Sequence, residues 1–153
     1  MGQAIIRKAH SLDIETLVEL LTVLFTIETD FTIDTELQRR GLSLMLKRPD
    51  QSCILVAEYN TKVIGMCTGQ LLVSTAEGGL KLLVEDLVVN VDYRGSGIGS
   101  NLLSGIEKWA TKYGAKRLDL LADCHNTSAL SFYRKEKWQT TELVALQKRV
   151  ILI

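Results

Sequence analysis

The chain has 153 residues, and its 18 basic and 18 acidic side chains give a formal net charge of zero. This length predicts a single domain, residues 1–153, that buries about 70% of its unfolded surface, and the balanced charge argues against wrapping nucleic acid or binding an anionic membrane. The three cysteines form no CxxC pair and are odd in number, which favours free thiols in a reducing compartment over a disulfide framework.

The amino-terminal residues include no long apolar segment, and Ile6 stands where a myristoylation signal requires Ser or Thr. We therefore expect neither secretion nor a lipid anchor, and we predict a cytoplasmic protein.

Residues 4–8 are a short apolar run that predicts a first strand. Ser11 or Asp13 is suited to cap the helix that follows, whose apolar residues recur at helical spacing: Ile14, Leu17, Val18, Leu21, Leu24 and Phe25.

A second helix is predicted to begin at Asp34 and to end before Pro49, because proline disfavours helical conformation at the residue that precedes it. Its predicted core face comprises Leu37, Gly41, Leu44 and Met45. The connection between the two helices is acidic and holds no basic residue: Glu28, Asp30, Asp34 and Glu36. Such a segment either attracts a cationic substrate or is a solvated loop in which Asp34 caps the second helix.

Strand-like runs fill the middle of the chain. Residues 53–58 and 62–67 predict a hairpin, whose second strand continues to about Val73. After a turn at Gly78 and Gly79, residues 80–91 form a long apolar run that predicts a central strand. This run contains two adjacent carboxylates, Glu85 and Asp86. Burying either one without a partner is costly, so we expect at least one of them to border a cleft or water.

The central strand runs into a loop with three alternate glycines, Gly95, Gly97 and Gly99, and then into a helical pattern that ends at Gly114. Since glycine has no Cβ and the first amides of a helix lack partners, the loop is predicted to bind an anion, with phosphate the first candidate.

Two nucleotide-binding patterns fit this loop poorly. No Lys precedes Ser100, so the loop lacks the phosphate contact of a Walker motif. A dinucleotide fingerprint would require glycine or alanine where Ser100 stands, although Asp119 lies at a suitable distance to bind a ribose. The loop also comes too late in the chain for a complete dinucleotide-binding fold.

The remaining elements complete an α/β domain with a mixed sheet. Residues 117–122 predict a strand, Asn126 is suited to cap a short helix that carries Tyr133, and residues 139–153 predict one or two closing strands. The run from Asp123 through Cys124 to His125 is not read as a catalytic triad, because consecutive side chains in a short loop cannot align as nucleophile, base and orienting group. The two histidines are too few and too far apart to predict a metal site.

Residues 94–99 match the pattern (Gln/Arg)-x-x-Gly-x-(Gly/Ala) and resemble the signature of the GNAT superfamily of acetyl-coenzyme A-dependent N-acetyltransferases. The likeness extends to residues 89–93, to Leu102-Leu103, and to the spacing Asn126-x-x-Ala129-x-x-x-Tyr133, so that with the two amino-terminal helices it covers nearly the whole chain. Residues 83–95 also resemble, less specifically, the polyamine (spermidine/spermine) branch. The resemblance implies an α/β (in some schemes α+β) fold: a mixed, mostly antiparallel central sheet, flanked by helices, with a splayed parallel strand pair.

The resemblance also implies which residues bind acetyl-coenzyme A. Backbone of Leu87 and Val89 would pair with the pantetheine arm, and Asn126 would meet the cofactor near its pantetheine end. The pyrophosphate would be held by backbone amides of one continuous set: Arg94, Gly95, Ser96, Gly97, Ile98, Gly99 and Ser100.

Catalytic roles follow from the same resemblance. Glu85 matches the position of the general base, often acting through water, and Asp86 is the neighbouring alternative. Tyr133 would protonate the leaving thiolate. The backbone N–H of Leu87 or Val88 would stabilise the oxyanion.

The implied reaction transfers the acetyl group to a primary amine by direct attack in a ternary complex, without a metal. Polyamines or other small cationic amines are the first candidate acceptors, because of Glu85, Asp86 and the acidic segment 28–36; a protein lysine or amino terminus is the alternative. A non-catalytic acyl-coenzyme A sensor and a nucleotide-binding oxidoreductase are alternatives from other classes. Relatives of this kind are commonly dimers, which implies a homodimer. Lys137 stands where the family often has Gly, and a left-handed conformation there would cost about 1 kcal/mol.

Overall fold

Five β-strands and four α-helices form in residues 2–152, the part of the chain that the computed structural model describes. The chain divides between Leu120 and Leu121 into two units. The first unit holds β1 (Ile5–Lys8), α1 (Ile14–Ile27), α2 (Thr35–Leu46), β2 (Ser52–Tyr59), β3 (Lys62–Ser74), β4 (Gly79–Val89), α3 (Ile98–Lys112) and β5 (Ala115–Leu120). The second unit holds α4 (Thr127–Lys135). That residues 1–153 fold as one domain stays a prediction, and its two terminal residues lie outside the described ones.

The strands form one sheet in chain order, β1-β2-β3-β4-β5. Neighbours from β1 to β4 are antiparallel, whereas β5 is parallel to β4. The last pair in the ladder between β4 and β5 is Val84 with Leu120, and β4 continues beyond it to Val89. The predicted mixed sheet, mostly antiparallel with a parallel pair that separates at one end, is confirmed.

Helices cover both faces of this sheet. On one face, α1 and α2 form a buried cluster that includes Leu17 of α1 and Val56 of β2. On the other face lies α3, where a Cβ at Gly105 would come within 3.0 Å of Cδ1 of Leu55. Leu55 and Val56 are consecutive, and successive side chains of a strand point to opposite faces. No α-helix within residues 2–152 is long and apolar enough to cross a bilayer.

Local signals placed most turns and helix ends correctly. The turn between β2 and β3 contains Asn60 and Thr61, both with positive φ of 48° and 65°. Gly114, with φ of 86°, follows the end of α3 as predicted. Asp13 precedes α1, but its carboxylate accepts hydrogen bonds from the Arg7 guanidinium at 2.8 and 3.0 Å and does not cap the helix. The ion pair therefore ties the start of α1 to β1.

The predicted core face of α2 is wrong in part. Leu37 and Leu44 are 58% and 57% exposed, whereas Gln38 and Leu42 are the buried residues of this helix. The Gln38 side chain tolerates burial because its Nε2 donates to the Val18 carbonyl at 3.1 Å. A periodicity based on apolar residues cannot anticipate a polar side chain whose bonds are made by another helix.

The predicted closing strands do not form in residues 139–152, and residue 153 lies outside the described part of the chain. The apolar side chains of this segment are instead exposed: Leu143, Val144, Leu146, Val150, Ile151 and Leu152. A local pattern of apolar residues favours extended backbone, but a strand also requires a neighbour that accepts and donates its ladder hydrogen bonds.

Gly69 offers a test of how closely α3 lies against the sheet. A Cβ at Gly69 would come within 2.9 Å of both Ile106 Cδ1 and Leu82 Cδ1, and both of those side chains are fully buried. We expect Gly69→Ala to lower the free energy of unfolding by about 1–3 kcal/mol through overpacking. Chemical denaturation followed by circular dichroism measures this change.

Gly41 in α2 is the matched control, because a Cβ there meets no heavy atom within 4 Å. Gly41→Ala should raise the free energy of unfolding by up to about 1 kcal/mol, since alanine favours the helix. Equal effects of the two substitutions would contradict the close approach of α3.

Candidate active site

β4 contains one extra residue opposite β3. Cys67 pairs with Leu87 and Gly69 pairs with Val84, so that Thr68 stands opposite both Glu85 and Asp86. This arrangement is a β-bulge, which reverses the direction of every later side chain in the strand.

The reversal is visible in the helices that the side chains contact before and after the bulge. Leu82, before the bulge, is the side chain that a Cβ at Gly69 would meet beneath α3. Val88, after the bulge and also at an even position, belongs to the cluster with α1 and α2. Because Asp86 is two residues before Val88, it is directed to the α1 and α2 face of the sheet.

The Thr68 hydroxyl contacts Asp86 twice at the bulge. It donates to Asp86 Oδ2 at 2.7 Å and accepts from the Asp86 backbone N–H at 3.1 Å. Burial and, to a smaller extent, the nearby Glu85 carboxylate raise the pKa of the Asp86 carboxyl to about 6, against the opposing effect of the Thr68 hydrogen bond. A carboxyl group in this range can take up or release a proton near neutral pH.

The two adjacent carboxylates therefore differ in their surroundings. Glu85 is exposed, and Asp86 is half-buried with a hydrogen-bonding partner. This agrees with the expectation that at least one of them borders water. Thr68 itself was missed by sequence reasoning, because a threonine in a strand is ordinary and the register that brings it to Asp86 depends on the bulge.

Beyond the bulge, β4 presents backbone to an edge that β5 does not cover. The Asn90 N–H donates to the Ile64 carbonyl of β3 at 2.8 Å. Since backbone groups alternate along an antiparallel strand, those of Val88 also point to β3, and those of Leu87 and Val89 point away from it. The Val89 carbonyl accepts from Arg94 Nε at 2.9 Å, so the following loop is tied to this edge.

The glycine loop lies between a 3₁₀ turn, Val91–Tyr93, and α3. Gly95 and Gly97 have positive φ, 76° and 85°, and a Cβ at either would meet no heavy atom within 4 Å. The glycines are thus needed for their backbone conformation, and surrounding atoms do not force the choice. Gly99, by contrast, lies within the first turn of α3.

The amino terminus of α3 provides hydrogen-bond donors. The first bond within the helix joins the Asn101 N–H to the Gly97 carbonyl at 3.0 Å, so the amides of Ile98 and Gly99 precede the helical ladder. Ile98 is buried, so its side chain is not presented to a ligand. The Ser96 hydroxyl donates to the Tyr93 carbonyl at 2.6 Å and holds the loop closed. An exposed loop of this form at a helix amino terminus can hold a phosphate group.

Asn126 and Tyr133 belong to the second unit. Asn126 Oδ1 accepts from the Ala129 N–H at 3.1 Å, which confirms its predicted role as the cap of α4. Tyr133 lies in α4 with ring centroids 5.3 Å from Phe132 and 6.2 Å from Trp138. Lys137 follows this helix with φ of 69°, the left-handed conformation expected where glycine is usual.

Two other candidates are engaged in local contacts. Asp119 pairs with Lys81 and Arg117, each at 3.0 Å, and is therefore part of the ion pairs that join β4 and β5. The Asp123 carboxylate accepts from the His125 backbone N–H at 2.8 Å, which is a turn contact and supports no triad through Cys124.

In the acidic segment between α1 and α2, Asp34 caps α2 by accepting from the amides of Glu36 and Leu37 at 3.1 Å. The interpretation of Asp34 as a capping residue is confirmed.

Family comparison agrees with this architecture. The model of the acetyltransferase (GNAT) family matches residues 14–137, and the chain belongs to that family. It is similar to an acetyltransferase of Pectobacterium atrosepticum, with 29% identity over 102 residues that cover 67% of this chain and 68% of the relative. The predicted family and the enzyme class, an acetyltransferase, are confirmed.

Solved structures show the same fold. A possible acetyltransferase from Clostridium difficile 630 has a TM-score of 0.85 with 19% identity, and the match covers 99% of this chain and 100% of that chain. An aminoglycoside N-acetyltransferase in complex with coenzyme A has a TM-score of 0.84 with 16% identity and coverage of 97% of both chains.

Proposed function

We propose that this protein transfers the acetyl group of acetyl-coenzyme A to a primary amine by direct attack in a ternary complex. The observation that carries the proposal is one continuous stretch of chain. The bulged half of β4 contains a carboxyl group with a pKa of about 6 and leads, through the 3₁₀ turn Val91–Tyr93, into a glycine loop at a helix amino terminus. The carboxyl group can accept a proton, and the glycine loop can hold a phosphate.

For the cofactor, we assign the amides of residues 94–100 to the pyrophosphate and the outward-facing backbone of Leu87 to the pantetheine arm. The alternation along β4 and the family membership support this assignment, and so does the coenzyme A complex of a protein with the same fold. Val89 and Asn126 remain proposed contacts, although the Val89 carbonyl is already held by Arg94. Bound acetyl-coenzyme A supplies a thioester carbonyl that is open to attack by an amine.

For the proton transfer, we propose Asp86 as the general base, with Glu85 as the alternative. An ammonium has no lone pair, so one proton must leave the acceptor before it attacks. Asp86 is largely ionised at neutral pH, since its pKa is about 6, and it can take this proton directly or through water. Glu85 is exposed beside it and fits better as a negative charge that attracts a cation.

Two further roles are proposed from the family resemblance. Tyr133 would donate its proton to the thiolate as the carbon–sulfur bond breaks. The N–H of Leu87 would stabilise the oxyanion, because the Val88 N–H is directed to β3 by the alternation of the ladder.

The acceptor we favour is a small polycationic amine, a class that includes polyamines and aminoglycosides. Glu85 and Asp86 are adjacent carboxylates in β4. Helices α1 and α2 cover the face to which Asp86 is directed, and the connection between them adds the carboxylates of Glu28 and Asp30. A protein of the same fold, crystallised with sisomicin, is named an aminoglycoside acetyltransferase. A protein lysine is the alternative acceptor, and cytoplasmic location and homodimer formation stay predictions.

An acceptor screen tests the reaction. Purified protein with acetyl-coenzyme A and a panel of polyamines, aminoglycosides and lysine peptides should release coenzyme A thiol with at least one polycationic amine. Because Cys124 is exposed, a blank without acceptor corrects for the protein's own thiol. Binding of acetyl-coenzyme A without thiol release for any amine would favour the sensor interpretation.

The assignment of the base is tested by two isosteric variants. Asp86→Asn should lower kcat/KM by about 100-fold or more and abolish the fall in rate below pH 6, because the titrating group is lost. Glu85→Gln should cost less than about 10-fold and retain the acidic limb of the pH profile. Loss of that limb in Glu85→Gln, with its retention in Asp86→Asn, would assign the base to Glu85.

The phosphate-binding role of the loop is tested by alanine at two glycines with positive φ. Gly97→Ala should raise the Kd of acetyl-coenzyme A about fivefold or more, since alanine at φ of 85° costs about 1 kcal/mol and disturbs the start of α3. Gly78, at φ of 62° in the turn before β4, is the matched control, and Gly78→Ala should leave the Kd unchanged. Isothermal titration calorimetry measures both; an unchanged Kd in Gly97→Ala would remove the loop from the binding site.

A further inference from the structure

We propose that Thr68 is a positioning residue for the reaction, because its single hydroxyl holds both the main chain and the carboxylate of Asp86. This inference rests on the proposed function, in which Asp86 removes the proton from the amine. Thr68 touches neither cofactor nor acceptor in this proposal and acts only through Asp86.

The contact lies at the bulge. An extra residue in β4 disrupts the regular ladder opposite Thr68, and the Asp86 N–H meets a side-chain acceptor of β3 there. Thr68 Oγ1 accepts this N–H at 3.1 Å and directs its own proton to Asp86 Oδ2 at 2.7 Å. A hydroxyl has one proton to donate and can also accept, so one side chain satisfies both groups. Thr68 is 0% exposed, and bulk water does not reach it to replace either bond.

The same hydroxyl opposes the effect of burial on Asp86. Burial raises the pKa of the carboxyl and the hydrogen bond from Thr68 lowers it by stabilising the ionised form; with both in place the pKa is about 6. Removing the hydroxyl therefore raises the pKa of Asp86 above 6. A general base with a higher pKa is protonated, and hence inactive, over a wider range of acidic pH.

Within residues 2–152, the Thr68 hydroxyl is the side-chain group that hydrogen-bonds directly to the Asp86 carboxylate. Other ionisable groups act on Asp86 through charge. In addition to burial, Glu85, also in β4, raises the pKa of Asp86. Burial and, in turn, the Asp86 charge raise the pKa of the Cys67 thiol of β3. Asp119 on β5 is paired with Lys81. On the packed helices, Arg39 of α2 is half-buried and pairs with Glu15 and Glu36, each at 2.7 Å. The other charged side chains of these helices are exposed: Glu15 and Glu19 on α1, Glu36 and Arg40 on α2, and Glu107, Lys108 and Lys112 on α3.

The experiment compares Thr68→Val, which keeps the shape and removes the hydroxyl, with Thr68→Ser, which keeps the hydroxyl. Thr111→Val is the control, because Thr111 is an exposed threonine of α3 whose hydroxyl bonds to the Glu107 carbonyl. For each protein, ¹³C NMR follows the titration of the Asp86 carboxyl, assigned by its disappearance in Asp86→Asn. The pH profile of kcat/KM is measured with the acceptor found in the screen.

We expect Thr68→Val to raise the pKa of Asp86, measured by NMR, by about one pH unit and to move the acidic limb of kcat/KM by the same amount. The loss in kcat/KM should then be about fivefold greater at pH 6 than at pH 8. Thr68→Ser should restore both quantities, and Thr111→Val should change neither. If Thr68→Val does not fold, Thr68→Ala removes the same hydroxyl without the added methyl contacts.

Other outcomes separate the two proposals. An unchanged Asp86 titration in Thr68→Val, or an equal loss of kcat/KM at every pH, overturns the role of Thr68 and leaves the base assignment intact. A shifted NMR titration with an unmoved acidic limb, together with an active Asp86→Asn, shows that Asp86 is not the base and overturns the inference with it. Absence of any acetyl transfer in the screen contradicts the proposed function itself.

Discussion

The extra residue of β4 opposite Thr68 is the constraint on which the candidate site depends. Without it, the alternation that buries Leu82 beneath α3 would continue unchanged, and Asp86 would share the α3 face with Leu82. The bulge instead directs both Asp86 and Val88 to the face covered by α1 and α2, where Val88 is buried among those helices. At the bulge, the Thr68 hydroxyl accepts from the Asp86 N–H and donates to the Asp86 carboxylate, so the group that the bulge redirects is also held in place.

The bulge begins where the parallel ladder between β4 and β5 ends. The last pair of β4 with β5 is Val84 with Leu120, immediately before the bulge, and the backbone of Leu87 therefore faces an edge that β5 does not pair. The strand then enters the glycine loop, whose Arg94 side chain holds the Val89 carbonyl. A carboxyl group, a strand edge that β5 does not pair and a glycine loop at a helix amino terminus thus follow one another within a single stretch of the first unit.

Much of this could be predicted from the sequence, because the signals are local. The left-handed glycines, the Asn126 cap and the two carboxylates in an apolar strand are each visible in a few neighbouring residues. The features that were predicted wrongly or missed depend on partners that are distant in sequence. The burial of Gln38 requires the Val18 carbonyl, and the role of Thr68 requires the register with β4. Residues 139–152 carry an apolar pattern typical of strands but form none, because pairing is not encoded by one segment alone.

Backbone NMR of the protein titrated with acetyl-coenzyme A tests the central claim most directly, because it reports on individual amides. The account predicts that the amides of Leu87, Gly97, Ile98 and Gly99 shift on binding, while those of the β1 and β2 pairing, such as Ile6 and Ala57, do not. Saturable binding that leaves residues 87–99 unperturbed would contradict the assignment of this stretch as the cofactor site.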